Sequence, residues 1–339
     1  MNNRNDDATT HCCAECGNDG GSSLKTCKSC MLVRYCNPTC QHKHWPKHKI
    51  ECKLRASELR DEALFKDPPP KEDCPICFLP MPMKLLCCIS LSPATISSVP
   101  IYDFAKANVE LATRSTGECH ACCGKSTCGG CLYSLSISGK AQCPFCNSDQ
   151  YNKTDEGRFE EMMMRVEAND AGAMFALGCY YSQGINGLQQ DRAKAMELWT
   201  QAARLGSSKA HYQLGVLYYQ TGDMKKAKFH YEAAAMAGNE MARCNLGCME
   251  LHSGDKERAV KHWMISASAG SDNAMHLLQI EFKRGVISRE SIVSTLTAYN
   301  YSCVEMRSEA RDAYIRIAGV RLGVFGRKHH KLISLDAHI

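Results

Sequence analysis

The residues best suited to chemistry are the cysteines, which number 23 and are concentrated in two segments of the chain. Eight lie between positions 12 and 52, eleven lie between positions 74 and 146, and four lie in the remainder. Many form pairs separated by two or three residues, a spacing at which one turn can present both thiols to a single ion. Clustered cysteines in a reducing compartment indicate metal ligands rather than disulfides. The pattern therefore predicts zinc as the cofactor, with about four ions per chain.

The first cysteine segment contains enough ligand pairs for two tetrahedral zinc sites. The pairs are Cys13 with Cys16, Cys27 with Cys30, Cys36 with Cys40, and His48 with Cys52. A segment of about 40 residues cannot bury enough apolar surface to fold alone, so we predict that zinc binding supplies its stability. Cys12 is in excess of the ligand count, and we expect His11, His42 and His44 to be solvated side chains.

The second half of this segment resembles the MYND-type zinc finger. The run Tyr35-Cys36-Asn37-Pro38-Thr39-Cys40-Gln41, followed by Trp45, His48, Lys49 and Cys52, carries the resemblance. The resemblance implies interleaved ligands, with one zinc ion on Cys13, Cys16, Cys36 and Cys40 and the other on Cys27, Cys30, His48 and Cys52. It also implies a shallow groove for short proline-rich peptides, lined by Gln41 and Trp45. The alternative role for Trp45 is packing against its own zinc site.

The second cysteine segment contains three pairs with two intervening residues: Cys74 with Cys77, Cys128 with Cys131, and Cys143 with Cys146. Its opening Cys-Pro-Ile-Cys and closing Cys-Pro-Phe-Cys resemble a RING-type finger, which implies cross-braced ligand pairs. One zinc site is then expected on the first two pairs, Cys74, Cys77, Cys128 and Cys131. The other is expected on Cys143 and Cys146 with two of Cys119, His120, Cys122 and Cys123. We favour Cys123 together with Cys122 or Cys119, because Lys125 occupies the family's histidine position and lysine is a poor ligand at neutral pH.

The resemblance to a RING-type finger implies ubiquitin transfer as one function of this segment. Such fingers recruit a ubiquitin-conjugating enzyme, and Ile76 and Pro144 stand where the family makes hydrophobic contact with it. Asn147 follows the last cysteine, where active members often have arginine. The finger is therefore interpreted either as part of a RING-type ubiquitin-protein ligase or as a zinc module that only binds protein.

The third part of the chain contains an internal repeat. Ala173, Ala210, Ala242 and Ala274 each stand four residues before a leucine, and in the first three copies a glycine follows that leucine. A second block in each copy ends at Gly206, Gly238 or Gly270, which are spaced by 32 residues. Apolar residues recur at helical spacing within the blocks, so the pattern predicts antiparallel helix pairs that stack into a solenoid. This pattern resembles the Sel-one-like repeat, a relative of the tetratricopeptide repeat that acts in protein binding.

The predicted fold class is two small zinc-stabilised modules followed by an all-α helical-repeat solenoid. The predicted domains are a MYND-type finger at 11–54, a RING-like finger at 71–150, Sel-one-like repeats with a capping helix (289–317) at 160–317, and a disordered basic tail at 318–339. A helix is expected at 54–65, ended by the Asp-Pro-Pro-Pro run at 67–70. A further helix is expected at 102–114.

Several function classes are disfavoured by the sequence. It contains no run of about 18 apolar residues that would cross a membrane, and the polar first residues do not form a secretory signal. We therefore expect an intracellular protein, cytoplasmic or nuclear, rather than a secreted one. Zinc-bound thiolates cancel much of the formal charge of +5, so a nucleic-acid partner is not expected. No catalytic motif is present, and the leading hypothesis is an interaction adaptor that binds other proteins.

Overall fold

The computed structural model describes residues 12–19, 23–81, 122–139, 142–149, 154–185 and 187–313. The chain forms two compact units, Met1–Lys66 and Asp67–Ile339. The predicted helix at 102–114, the alternative ligands Cys119 and His120, and the predicted basic tail at 318–339 lie outside the described residues.

The first unit contains a short hairpin and a long helix. Strands β1 (Lys25–Thr26) and β2 (Arg34–Tyr35) pair antiparallel, with Lys25 opposite Tyr35. Helix α1 (Pro38–Phe65) follows, and the side chain of Asn37 caps it by accepting a hydrogen bond from the backbone of Cys40 at 2.8 Å. Proline suits the first helical position because the missing N–H has no intrahelical acceptor there. The helix expected at 54–65 is therefore the C-terminal part of one 28-residue helix, and it ends just before the prolines.

The described residues of the second unit form a short helix and then a regular series of helices. Helix α2 (Gly129–Ile137) begins directly after Cys128 and contains Cys131, and α3 (Asp155–Glu167) precedes the repeats. The repeat helices are α4 (Ala171–Gln183), α5 (Arg192–Arg204), α6 (Ser208–Gln220), α7 (Met224–Met236), α8 (Glu240–His252), α9 (Lys256–Ser268), α10 (Asp272–Lys283) and α11 (Arg289–Glu305). Each packs against the next in chain order, as a solenoid requires. The predicted architecture is thus confirmed.

The repeat boundaries follow from capping residues. Gly206, Gly238 and Gly270, each just beyond the end of a second helix, have φ of +88°, +85° and +93°, a left-handed conformation that glycine adopts without steric cost. A short polar side chain then caps the next helix; Asn239, for example, accepts a hydrogen bond from the backbone of Ala242 at 2.9 Å. Of the predicted capping helix, 289–305 are helical as α11, 306–308 interrupt it, and 309–313 are helical again.

A glycine in the first helix of each of the first three pairs receives an aromatic ring from the second helix. The pairs are Gly178 with Trp199, Gly215 with Tyr231, and Gly247 with Trp263. The indole Nε1 of Trp199 also donates to the carbonyl oxygen of Phe175 at 3.3 Å. The Leu-Gly dipeptide of the repeat therefore has a packing function: the absent side chain makes room for the ring.

Adding a methyl group at this contact should destabilise the repeats. In Gly178→Ala the new Cβ would lie 2.6 Å from Nε1 of Trp199, which is too close for a heavy-atom contact. Overpacking of this kind costs about 1–3 kcal/mol, and it should outweigh the gain of about 1 kcal/mol from replacing a helical glycine by alanine. The free energy of unfolding, measured by urea denaturation, should therefore fall.

Gly157→Ala provides the matched control for this substitution. Its Cβ would lie 3.7 Å from Oγ1 of Thr154, an ordinary contact, so the same chemical change should leave stability unchanged or raise it by up to about 1 kcal/mol. Equal effects of the two substitutions would contradict the proposed packing role of Gly178.

The residue three positions after the repeat glycine makes different interactions in successive copies. The ammonium of Lys194 lies 4.3 Å from the ring centroid of Tyr181, a cation–π contact. In the third copy a buried carboxylate, Glu250, takes the place of the tyrosine and pairs with Arg258 at 3.4 Å and with Lys228 at 2.8 Å. The repeat thus retains a basic partner while the acceptor changes from an aromatic face to a carboxylate.

Among the described helices, none has the length and apolar content needed to span a lipid bilayer.

Candidate metal centres

Among the described residues, sixteen cysteine and histidine side chains lie in four groups, and within each group the ligand atoms all lie within 4.8 Å of one another. The first group is Cys13, Cys16, Cys36 and Cys40. The second group is Cys27, Cys30, His48 and Cys52. The third group is Cys74, Cys77, Cys128 and Cys131. The fourth group is Cys122, Cys123, Cys143 and Cys146.

Both fingers interleave their ligand pairs in the order expected from the sequence. The pairs of the first and second groups alternate along 13–52, and those of the third and fourth groups alternate along 74–146. In the fourth group the structure places both Cys122 and Cys123 beside Cys143 and Cys146. We refer to 12–52 as the first finger and to the described residues of 71–149 as the second finger.

Four of the cysteine pairs share one local backbone geometry. The residue after the second cysteine has a positive φ in each case: Gly17 (69°), Met31 (60°), Phe78 (54°) and Asn147 (58°). Its backbone N–H donates to the carbonyl oxygen of the first cysteine, as from Phe78 to Cys74 at 2.8 Å and from Asn147 to Cys143 at 2.9 Å. The turn is therefore closed by its own hydrogen bonds, and both thiols point to one centre. Three non-glycine residues accept this sparsely populated conformation, at about 1–2 kcal/mol each.

The distances between ligand atoms fit a tetrahedral zinc site. Four sulfur atoms at about 2.3 Å from a zinc ion would be about 3.8 Å apart along each edge of the tetrahedron. The Sγ–Sγ distances, one from each group in order, are 3.7 Å for Cys16 and Cys36, 3.7 Å for Cys27 and Cys52, 3.8 Å for Cys74 and Cys131, and 3.8 Å for Cys123 and Cys143. These separations are far longer than a disulfide bond of about 2.05 Å. The donor set and its spacing thus suit zinc in each group.

The second group lies in the core of the first finger. His48 is buried, and its Nε2 lies 3.2 Å from Sγ of Cys30, which makes Nε2 the ligand atom. The hydroxyl of Tyr35 lies 3.0 Å from Nδ1 of His44, and the His44 ring stacks on the His48 ring at 5.6 Å. His44 is therefore more than the solvated side chain expected from the sequence, because it supports a ligand histidine from outside the ligand set.

The pKa values of the ligand thiols in the first finger also favour a bound cation. A hydrogen bond from the backbone of Cys16 lowers the pKa of Cys13 to about 6, whereas the hydrogen bond with Cys36, together with burial, raises the pKa of Cys40 to about 12. Burial, with the charges of Cys27 and Cys30, raises the pKa of Tyr35 to about 12. Neighbouring thiolates repel one another, so a divalent ion is what allows all four thiols of the first group to be deprotonated together.

The residues predicted to contact partners have different degrees of exposure. Gln41 and Trp45 lie one turn apart on α1, and both are exposed, Trp45 to 40%. In the second finger Pro144 is exposed, whereas Ile76 is half-buried and packs against the cysteines of the third group. The ammonium of Lys125 lies 5.2 Å from the ring centroid of Phe145, a cation–π contact.

Comparison with known families identifies two of the modules. Residues 13–52 match the MYND finger, and residues 171–207 and 208–239 match the Sel1 repeat. Both are in general protein-interaction modules. The second finger lies outside the matched residues, so its RING-like character remains a prediction.

Two curated relatives with a MYND domain in their names match short stretches of this chain. A SET and MYND domain-containing protein of Dictyostelium discoideum is 53% identical over 34 residues, which are 10% of this chain and 6% of the relative. A zinc finger MYND domain-containing protein 10 homolog of Drosophila melanogaster is 43% identical over 47 residues, which are 14% of this chain and 10% of the relative. The chain thus spans a tenth or less of the length of either relative.

Solved structures similar to this chain include a Sel1 repeat protein and a protein with an SLR fold. A Sel1 repeat protein of Oxalobacter formigenes has a TM-score of 0.39 and 18% identity, covering 57% of this chain and 86% of its own. A protective antigen with an SLR fold, present in uropathogenic Escherichia coli strains, has a TM-score of 0.38 and 18% identity, covering 67% of this chain and 51% of its own.

Proposed function

We propose that this chain is a zinc-dependent protein-interaction adaptor whose first finger binds short proline-rich peptides and whose Sel1 repeats act as a scaffold. The observation that carries the proposal is the exposed pair of Gln41 and Trp45 on α1, beside a core formed by metal ligands. Because the ligand cysteines must stay reduced, a reducing compartment, cytoplasmic or nuclear, is part of the proposal.

The exposed indole has no role in the ligand groups of its finger. Zinc binding supplies the stability of so small a unit, so folding does not require a large aromatic side chain at this surface. A proline-rich segment is already extended before it binds, and an indole face can contact it at low entropic cost. The Gln41 side chain, one turn earlier on the helix, can hydrogen-bond to a peptide carbonyl group.

Replacing the indole should separate peptide binding from folding. We expect Trp45→Ala to weaken the binding of proline-rich peptides at least about tenfold, which corresponds to about 1.4 kcal/mol. Its zinc content should stay at the wild-type value, because Trp45 is not a ligand. Binding would be measured by the fluorescence anisotropy of a panel of labelled proline-rich peptides added to the full chain.

Leu54→Ala is the control for this experiment, because Leu54 lies on the same helix and is 61% exposed. Its peptide affinity should match that of the wild type. If Trp45→Ala lost zinc, Trp45 would belong to the folded core. If both variants bound the peptides as the wild type does, the groove would lie elsewhere.

A second candidate function is ubiquitin transfer, which the interleaved ligand pairs of the second finger favour. Such a finger would bind a conjugating enzyme that already carries ubiquitin, and it would not need a nucleophile of its own. The full chain should then promote ubiquitin transfer with at least one member of a panel of conjugating enzymes. Ile76→Ala should abolish that transfer, whereas Ile137→Ala, at an exposed position of α2, should not. The absence of transfer with every enzyme in the panel would leave the adaptor as the better account.

A further inference from the structure

The second finger and the segment before it lie along the turns that join successive repeats. An added Cβ at Gly238 would meet the ring of Pro69 at 3.2 Å, so the proline lies on the turn between α7 and α8. The ammonium of Lys71 donates to the carbonyl oxygen of Ala269 at 2.6 Å and pairs with Glu240 at 3.5 Å. Ala269 lies in the turn between α9 and α10. This segment therefore contacts two consecutive inter-repeat turns.

The fourth group makes a corresponding contact at the start of the repeats. Gly124, which follows the ligand Cys123, has a φ of +74° and lies against the guanidinium of Arg165. Arg165 is paired at 2.7 Å with Asp170, the residue that caps α4. A side chain at position 124 would displace this ion pair, so the glycine allows the finger to approach the first repeat.

Arg311 connects the third group to the residues that follow α11. Its side chain is buried, with 3% of its surface exposed. Its Nη1 donates to the carbonyl oxygens of Pro80 at 2.7 Å and Met306 at 2.8 Å. Its Nη2 donates to the carbonyl oxygen of Leu79 at 3.2 Å and to Sγ of Cys77 at 3.5 Å. One side chain thus joins residues 306–311 to the ligand-bearing turn of the finger.

The backbone of this segment also contacts the finger directly. An added Cβ at Gly130, in the first turn of α2, would lie 2.6 Å from the backbone nitrogen of Arg311. Gly130 stands between the two ligands Cys128 and Cys131. The segment therefore packs on both cysteine pairs of the third group.

The charge of the metal site explains why an arginine is buried here. Four thiolates outweigh one divalent cation, so a zinc ion in the third group leaves a net negative charge. Cys74 and Cys128 are fully buried, so water solvates that charge poorly, and a guanidinium close to the half-buried Cys77 offsets it. Without zinc the four ligands would no longer be tied to one ion, so the turn that bears Cys77 would lose its fixed position, and Arg311 would lose the acceptors that this turn provides.

We propose that Arg311 and the zinc ion of the third group form a clasp that holds residues 306–313 against the second finger and releases them when that zinc ion leaves. The clasp goes beyond the proposed adaptor function, because it makes the end of the repeat array dependent on metal. Arg311 acts as a positioning residue: it donates hydrogen bonds to the turn that bears Cys77 and is not itself a zinc ligand.

The proposal is tested on the full zinc-loaded chain with Arg311→Leu and the control Arg307→Leu. The control removes the same charge from the same segment, at a guanidinium that is 50% exposed and pairs with Asp312. Stepwise titration with a chromophoric chelator should show, in Arg311→Leu alone, one zinc ion whose affinity is lower by about tenfold or more. Hydrogen exchange should also be faster at 306–313 in that variant, with no change in α6. Wild-type affinity for every zinc ion in Arg311→Leu would overturn the proposal.

A milder variant keeps the test valid if Arg311→Leu does not fold. Arg311→Lys retains the positive charge but cannot donate to four acceptors at once. Hydrogen exchange at 306–313 should then increase, and one zinc ion should be held less tightly than in the wild type. Cys74→Ser, which removes a ligand of the third group, should by itself increase exchange at 306–313. Unchanged exchange in both experiments would show that the segment is held independently of the metal.

Discussion

Cys27→Ser is expected to unfold the first finger while the repeat helices remain folded. The Cys27 thiol is buried directly after β1, and its sulfur lies 3.7 Å from that of Cys52. A structural zinc ion contributes about 10–16 kcal/mol of apparent binding free energy in small zinc domains. The finger has little other core, so losing one ligand should release zinc and cost the module its fold. The second unit has its own core and should keep its helicity.

The measurement combines zinc content with circular dichroism and limited proteolysis of the full chain. Cleavage should become rapid within 12–66 and remain slow within 155–305. Cys12→Ser is the matched control, because Cys12 is adjacent to the ligand Cys13 yet lies outside the four groups. It should retain the wild-type zinc content and protease resistance. Zinc loss in Cys12→Ser with retention in Cys27→Ser would mean that the ligands have been assigned incorrectly.

Trp263→Ala is expected to cause the largest loss of stability among single substitutions in the repeats. The indole is 1% exposed, fills the space above Gly247, and donates from Nε1 to the carbonyl oxygen of Cys244 at 3.3 Å. It also belongs to the core that includes Met275 and Leu278, so its removal would open a cavity between two repeats. Truncating a buried tryptophan costs about 3–5 kcal/mol.

The free energy of unfolding would be measured by urea denaturation followed at the helical circular dichroism signal. Phe229→Ala is the control, since Phe229 lies on the preceding second helix and is 56% exposed. Its effect should stay near about 0.5 kcal/mol, as is usual for surface positions. A loss at Trp263 no larger than that at Phe229 would contradict the packing described for the third repeat.

Local spacing was sufficient to predict most of the ligand groups and the repeat. A pair of cysteines separated by two residues fits one tight turn, and the closing glycines fit the left-handed conformation that ends a helix. These features depend on a few neighbouring residues, so they can be read from the sequence directly. The helix at 54–65 was predicted in the same way, but its start at Pro38 was not, because the ligands at 40, 48 and 52 were interpreted as parts of turns.

The contacts of the second finger with the repeats could not be predicted from spacing. Arg311 meets Cys77 across 234 positions of sequence, and Lys71 meets Ala269 across 198. A single arginine in a helical stretch reads as a solvated side chain, and only packing shows that it is buried. The support that His44 gives to His48 could not be predicted for the same reason, because the spacing of the ligands does not depend on a ring stacked beside one of them.

Both fingers require zinc binding by all four groups, and the most direct test is the number of zinc ions bound to the purified full chain. Native mass spectrometry of the chain, prepared under reducing conditions and compared with the chain stripped of metal, gives this number. The geometry predicts about four zinc ions per chain, two in each finger. A value near two, with the second finger still folded, would contradict the account, because its third and fourth groups would then be free thiols.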